Sequence, residues 1–365
     1  MKHSSKPTPA LFPSPAKVRL PVPCCPRLMP VLALPAVALV AFAAPVPKVA
    51  VVPISAMNAA QVRVLDEVDR RADRITRGPG KGELTVLDRT AGVEVLDENT
   101  LRPLRKPVKD AHPITLATSP DGKLVAWTER NKTTYTVLRT DTDKSFDIEL
   151  KDDPDHAAFS PDSKLLAIGS TFWDPRAEGA GHTEVRLFDA TGKLLRTLAR
   201  SGAGSAKPVF SPDGKTLAVS NRNYEPRLFD VATGKLLHVL DKKMTQEVAF
   251  SPDGKVLATA HVDGTLALWD TATGKELRSA ASGCKELYSV DWSPKGDVLV
   301  TSGRQGPIVV WEPGRLAKLK ELDAPAWVIQ VRFVSDSTRF ITSSALDLSA
   351  KSGRKFTIWG LPNNK

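Results

Sequence analysis

Cysteine is almost missing from the chain, with three in 365 residues. Two of them, Cys24 and Cys25, are adjacent near the N-terminus, so the rest of the chain holds Cys284 alone and can close no internal disulfide. A disulfide-stapled small domain and a cysteine zinc site are both excluded. Histidine is scarce and scattered (His3, His112, His156, His182, His238, His261), with no His-x-x-x-His pair, and no Gly-x-Ser-x-Gly elbow occurs. Gly214-Lys215-Thr216 imitates the end of a phosphate loop, but Val209 stands where its first glycine belongs. Asp141, Asp143 and Ser145 start like a calcium loop, yet Phe146 replaces the turn glycine and Asp152 the final Glu. The group Asp152, Asp153, Asp155 and His156 reads as solvated loop charge, and Cys284 as a small buried residue. The expectation is a chain that is not an enzyme, with no catalytic residues, cofactor or metal.

Acid is absent from residues 1–43, which hold five bases, Lys2, Lys6, Lys17, Arg19 and Arg27. Beyond them 46 bases face 41 acids. The net charge of +10 is therefore largely N-terminal, and a surplus of five spread over the remainder implies no nucleic-acid partner. Leu28 to Pro47 runs without a charge between a basic, proline-rich stretch and Lys48, the pattern of a secretory signal. Ala41 and Ala43 suit peptidase cleavage after Ala43. The alternative is an uncleaved anchor, because about 20 apolar residues also span a bilayer; membrane association is expected only then. The protein is expected to be exported: periplasmic, secreted or anchored by its N-terminus. The organisation expected is residues 1–43 as signal peptide or anchor, 44–71 as an N-terminal segment and 72–365 as the folded domain.

What the chain does have is a repeat. A turn motif reads Ser-Pro-Asp-Gly-Lys at Ser119, Ser211 and Ser251, Ser-Pro-Asp-Ser-Lys at Ser160, Ser-Pro-Lys-Gly-Asp at Ser293 and Val-Ser-Asp-Ser-Thr at Val334, at intervals of 41, 51, 40, 42 and 41. A second mark ends an alternating apolar strand: Leu96-Asp97, Leu138-Arg139, Phe188-Asp189, Phe229-Asp230, Trp269-Asp270, Trp311-Glu312 and Trp359-Gly360. Between the marks lie short strands, an Asp263-Gly264 hairpin turn and Ala-Thr-Gly-Lys turns at Ala190, Ala232 and Ala272. Each unit reads as four strands too small to bury their own faces, which must stack on neighbours. Radial stacking of such sheets is a β-propeller. The last unit lacks an outer strand. Gln61 to Val68 supplies it if it is extended; the competing reading is an amphipathic helix over Asn58 to Ile75, since Val64, Val68, Ala72 and Ile75 recur at helical spacing.

Phe-Ser-Pro-Asp-Gly-Lys at Phe250 and the run from Asp263 to Lys275 resemble the tryptophan-aspartate (WD) repeat, over about residues 72 to 360. The resemblance implies an all-β fold, a seven-bladed β-propeller of four-stranded antiparallel blades, here a degenerate, exported, bacterial-type member. The family's Gly-His pair is missing from every unit, and only Trp269, Trp311 and Trp359 keep the tryptophan. Its Asp-His-Ser/Thr-Trp tetrad is therefore not expected in any blade.

Two units exceed the usual length, at Gly169 to Thr183 and Ser343 to Arg354, both between second and third strands. One-sided insertions in a repeat protein mark a binding face. Trp173 is the first candidate anchor, with Arg176, His182, Lys351 and Arg354 around it and Tyr288 and Trp327 at the channel mouth; packing and solvated charge are the competing readings. The function expected is a non-enzymatic scaffold that binds a protein or peptide. The alternatives are a sensor for a small ligand or glycan, and a lactonase-like hydrolase with a site distributed over several blades.

Overall fold

The structure is a computed structural model, which describes residues 52–69, 74–78, 80, 82–88, 92–108, 113–172, 181–202, 204–240, 243–324, 327–345 and 354–361. These belong to one compact unit, Val49–Lys365. The apolar run of residues 28–47 and the expected cleavage site lie outside the described residues.

Among the described residues a single 3-10 turn (Ala59–Gln61) precedes 28 strands. β1 is Arg63–Asp69. Five four-stranded antiparallel sheets follow: β2–β5 (Arg74–Arg77, Glu83–Asp88, Gly92–Asp97, Pro103–Val108), β6–β9 (Pro113–Thr118, Leu124–Glu129, Thr134–Arg139, Lys144–Glu149), β10–β13 (Asp153–Phe159, Leu165–Phe172, His182–Asp189, Leu194–Gly202), β14–β17 (Ala206–Phe210, Thr216–Asn221, Tyr224–Asp230, Leu236–Val239) and β18–β21 (Thr245–Phe250, Val256–His261, Thr265–Asp270, Glu276–Ala281). The remaining strands, β22–β25 (Glu286–Trp292, Leu299–Arg304, Ile308–Glu312, Ala317–Leu322) and β26–β28 (Trp327–Phe333, Arg339–Ala345, Arg354–Gly360), form one eight-stranded sheet together with β1.

The expected count of seven separate blades is therefore corrected to five. A single backbone pairing, Arg304 with Trp327, joins β23 to β26 and makes the last eight strands one hydrogen-bonded sheet. First strands neighbour one another around a common centre, in the order β2, β6, β10, β14, β18, β22, β26 and back to β2. β1 runs antiparallel to β28, from Arg63 opposite Gly360 to Asp69 opposite Lys355, with a bulge between Val64 and Asp66. Among the described residues of this stretch, helix is confined to the one 3-10 turn.

The repeat motif explains its own turns. In four of them a serine hydroxyl donates to the aspartate two residues on, at 2.6–2.7 Å (Ser119, Ser160, Ser211 and Ser251), and accepts the amide five residues on, at 2.9–3.0 Å. The fourth motif position has positive φ, 72° at Gly214 and 74° at Gly254; Ser163 adopts 61° in the same place, a conformation that costs a non-glycine residue. Between sheets the second and third strands supply a continuous apolar filling, such as Leu217, Phe229 and Val219 against Ala167, Val185 and Leu187.

The two long units are also corrected. β11 and β12 stay in register as far as Phe172 opposite His182, and β27 and β28 as far as Ala345 opposite Arg354. The ends of each expected insertion, 169–172 with 182–183 and 343–345 with Arg354, are thus strand, and residues 173–180 and 346–353 lie outside the described residues. Trp173, Arg176 and Lys351 lie outside the described residues.

Candidate functional site

Alternation along the first strands decides what lines the centre. In β14 the side chains of Ala206, Pro208 and Phe210 are buried between sheets, while Lys207 and Val209 turn to the channel. A charged residue likewise interrupts the apolar pattern in β18 (Glu247), β22 (Asp291) and β26 (Arg332). Two cavities result. One of about 230 Å³ is lined by Arg74, His156, Lys207, Glu247, Tyr288 and Arg332 with their neighbours. The other, about 500 Å³, lies toward the Ser-Pro-Asp-Gly-Lys turns, where Arg77, Phe210, Pro212, Asp291 and Trp292 contribute to its wall.

Glu247 and Arg332 line both cavities. Arg332 Nη2 donates to Glu247 Oε1 at 2.5 Å, and its Nη1 to Ser289 Oγ at 3.1 Å. Burial opposes ionisation of Glu247, but the charge and hydrogen bond of Arg332 outweigh it and hold the carboxyl below its ordinary range. Asp291 Oδ2 accepts the Phe333 amide at 2.7 Å, and burial raises its pKa despite Arg77 and Arg332.

At the mouth of the smaller cavity the rings of Tyr288 and Trp327 stack, with centroids 6.0 Å apart and planes 14° apart. The Arg304 guanidinium lies 4.4 Å from the Trp327 ring centroid, a cation–π distance, and its Nη1 is 3.5 Å from Glu286 Oε1. Arg222 Nη2 approaches the other Glu286 oxygen at 3.8 Å. Burial, then the neighbouring Glu286 charge, pushes the Tyr288 hydroxyl up to about 12. The Arg304–Trp327 backbone pairing sets this platform at the end where β11 and β27 also finish.

The sequence candidates are thus divided. Tyr288 and Trp327 meet at the mouth. His182 sits on another sheet, its ring 5.0 Å from that of Phe172 and its Nε2 3.5 Å from Glu184 Oε1. Arg354 is placed by its backbone opposite Ala345. Asp152, Asp155 and His156, read as solvated loop charge, are corrected. Asp152 is buried and takes the Arg186 guanidinium at 2.6 Å, Asp155 accepts Thr171 Oγ1 at 2.6 Å, and His156 lines the channel. Among the described residues no group of three or more His, Cys, Asp or Glu is placed to hold a metal. Cys284 is buried, its Sγ 3.3 Å from the Pro307 carbonyl oxygen, and burial raises its pKa. Sequence reasoning missed Arg74, Lys207, Glu247 and Arg332. The one available signal was the lone charge inside an otherwise apolar first strand.

The family's indole bond survives in part. Trp269, Trp311 and Trp359 each donate Nε1 to a threonine hydroxyl at 2.9 Å, from Thr259, Thr301 and Thr342. Thr259 Oγ1 also lies 2.8 Å from His261 Nε2, and Thr245 Oγ1 3.0 Å from His261 Nδ1. Of the tetrad the fold brings together Trp269, Thr259 and His261, and His261, at the end of β19, enters from the strand itself.

Fold and repeat together define a WD-repeat-like β-propeller of four-stranded antiparallel blades. Residues 209–307 match the family model described as eukaryotic translation initiation factor eIF2A, a stretch from Val209 in β14 to just past β23 and less than a third of the chain. No curated protein matches the chain. A propeller with such a segment fits a protein-interaction role.

Proposed function

We propose that the chain is an exported, non-enzymatic scaffold, a degenerate bacterial-type WD-repeat propeller whose five four-stranded blades are joined by one eight-stranded sheet. It holds a protein or peptide partner on the end of the blades where Tyr288, Trp327 and Arg304 stack. The carrying observation is that stack: two aromatic rings and a guanidinium, the side-chain types that dominate interface anchors, gathered over the channel mouth. Phe172 and Ala345 end their strands on the same side, and Trp173, Arg176, Lys351 and Arg354 are proposed as further contacts on that face. The fold supports this class of function without naming the partner.

Crosslinking and pull-down from the exported fraction test it. Trp327→Ala with Tyr288→Ala is expected to weaken capture by about 2 kcal/mol, roughly thirtyfold, as loss of a central anchor does. Lys215→Ala, in a turn at the opposite end, leaves capture intact. Crosslinks that map to the Ser-Pro-Asp-Gly-Lys turns would sink the reading, as would an intact Met1 on a product that stays inside the cell.

A further inference from the structure

The smaller channel cavity has an unusual wall. Three cations, Arg74, Lys207 and Arg332, face it against one carboxylate, Glu247. That carboxylate is already engaged, by Arg332 at 2.5 Å and by the Val290 amide at 3.2 Å. Lys207 Nζ donates to the Gln246 carbonyl oxygen at 2.8 Å, and among the described residues no carboxylate stands within ion-pair distance of it. An ammonium facing a cavity with no carboxylate in ion-pair contact carries an electrostatic cost that an anion would reduce.

The uncharged groups point the same way. Arg74 Nη2 lies 3.4 Å from His156 Nε2; a guanidinium only donates, so Nε2 accepts and the ring proton sits on Nδ1. Among the described residues His156 Nδ1 is buried with no hydrogen-bond partner, and so are the hydroxyl oxygens of Thr76 and Ser220. All three residues line the cavity. The wall is therefore rich in donors and cationic, with its one carboxylate spent. At about 230 Å³ the space is smaller than the roughly 300–1,000 Å³ of pockets for drug-sized ligands and suits a small occupant.

We propose that this cavity is a binding site for a small, doubly charged oxyanion of the phosphate or sulfate class, with Lys207 as its principal counter-charge. The site shares Tyr288 with the partner surface described above and does not depend on a partner. Burial, and then the like charges of Arg74, Arg332 and Arg222 working against Glu247, lower the Lys207 pKa to about 8. The groups around it are Arg74 and Thr76 on β2, His156 on β10, Ser220 on β15, Arg222 just beyond it, Glu247 on β18, Tyr288 on β22 and Arg332 on β26. Burial, Arg74 and Lys207 hold His156 neutral well below its ordinary range. The anion binds the protonated ammonium, so affinity is full below pH 8 and falls as pH rises through it.

Thermal shift and titration calorimetry with sulfate, at ionic strength matched with chloride, test the site, because sulfate keeps its charge across this range. Sulfate is expected to raise the melting temperature above the chloride control at pH 7 and much less at pH 9.5. Inorganic phosphate, only partly doubly charged at pH 7, should bind there more weakly than sulfate, and acetate at least tenfold more weakly than sulfate. Lys207→Met abolishes the sulfate-specific shift and Lys207→Arg keeps it; Ser220→Ala, a milder change, reduces it. An equal shift in Lys207→Met, no difference from chloride in the wild type, or acetate equal to sulfate would each overturn the proposal.

Discussion

A single threonine illustrates how much a residue's weight depends on what converges on it. Thr259 Oγ1 meets the Trp269 indole and the His261 imidazole, while among the described residues Thr301 Oγ1 meets the Trp311 indole alone. Replacing either threonine by valine keeps the shape and removes the oxygen. Each buried polar group left unmet costs about 1–3 kcal/mol, so Thr259→Val is expected to destabilise by about 1–3 kcal/mol more than Thr301→Val in urea unfolding. Equal losses would show that His261 is held adequately by its remaining partners. The tryptophans were legible in the sequence because each closes an alternating strand. The histidine was not: without a Gly-His pair, nothing local marks His261 as a partner of the residue two positions before it, and only the fold turns both side chains into one buried space.

Among the elements, β1 carries the largest consequence. Its valine and leucine, Val64 and Leu65, remain 40% and 38% exposed, so the strand contributes mainly by backbone pairing to β28. Removing residues 63–69 leaves β28 as an open edge beside the Trp359, Phe340 and Val331 core, and such edges invite aggregation. The deletion is expected to lower the melting temperature sharply and to produce soluble oligomers or precipitate on size-exclusion chromatography, whereas Val64→Ala is nearly silent. An unchanged melting temperature after the deletion would show that the ring does not depend on this strand. Four-stranded units and their turns were readable from the spacing of Ser-Pro-Asp-Gly-Lys and of the strand ends. The fusion of the last eight strands was not, since one backbone bridge between Arg304 and Trp327 depends on the distance between strands far apart in sequence and on no residue type. Strand lengths beside 173–181 and 346–353 escaped for a similar reason: Gly169, Ser170 and Ser343 look like loop residues and are held extended by their partners across the ladder.

Over the whole molecule, ionisable groups divide by position. The turn aspartates Asp162, Asp213 and Asp253 lie at one end of the blades, and each is held more acidic than 3.8, first by the serine hydroxyl and then by the lysine amide of its own motif. The buried Asp155 and Asp291 shift upward instead, by desolvation. The signs oppose each other. A carboxylate more acidic in the folded chain than in the unfolded one contributes stability above about pH 3.8 and loses it as pH falls through its own lower value; a carboxylate with a raised value gains stability over the same descent. Replacing the three turn residues together (Asp162→Asn, Asp213→Asn, Asp253→Asn) isolates the first group. The variant is expected to melt lower than wild type at pH 7, because the Ser-x-Asp turns lose charge-assisted bonds. The two melting curves should then converge as pH drops from 5 to 3, where the wild-type carboxylates take up their protons. A gap that stays constant over that range would mean that the turns contribute through geometry alone, with their charge of no consequence to the ring.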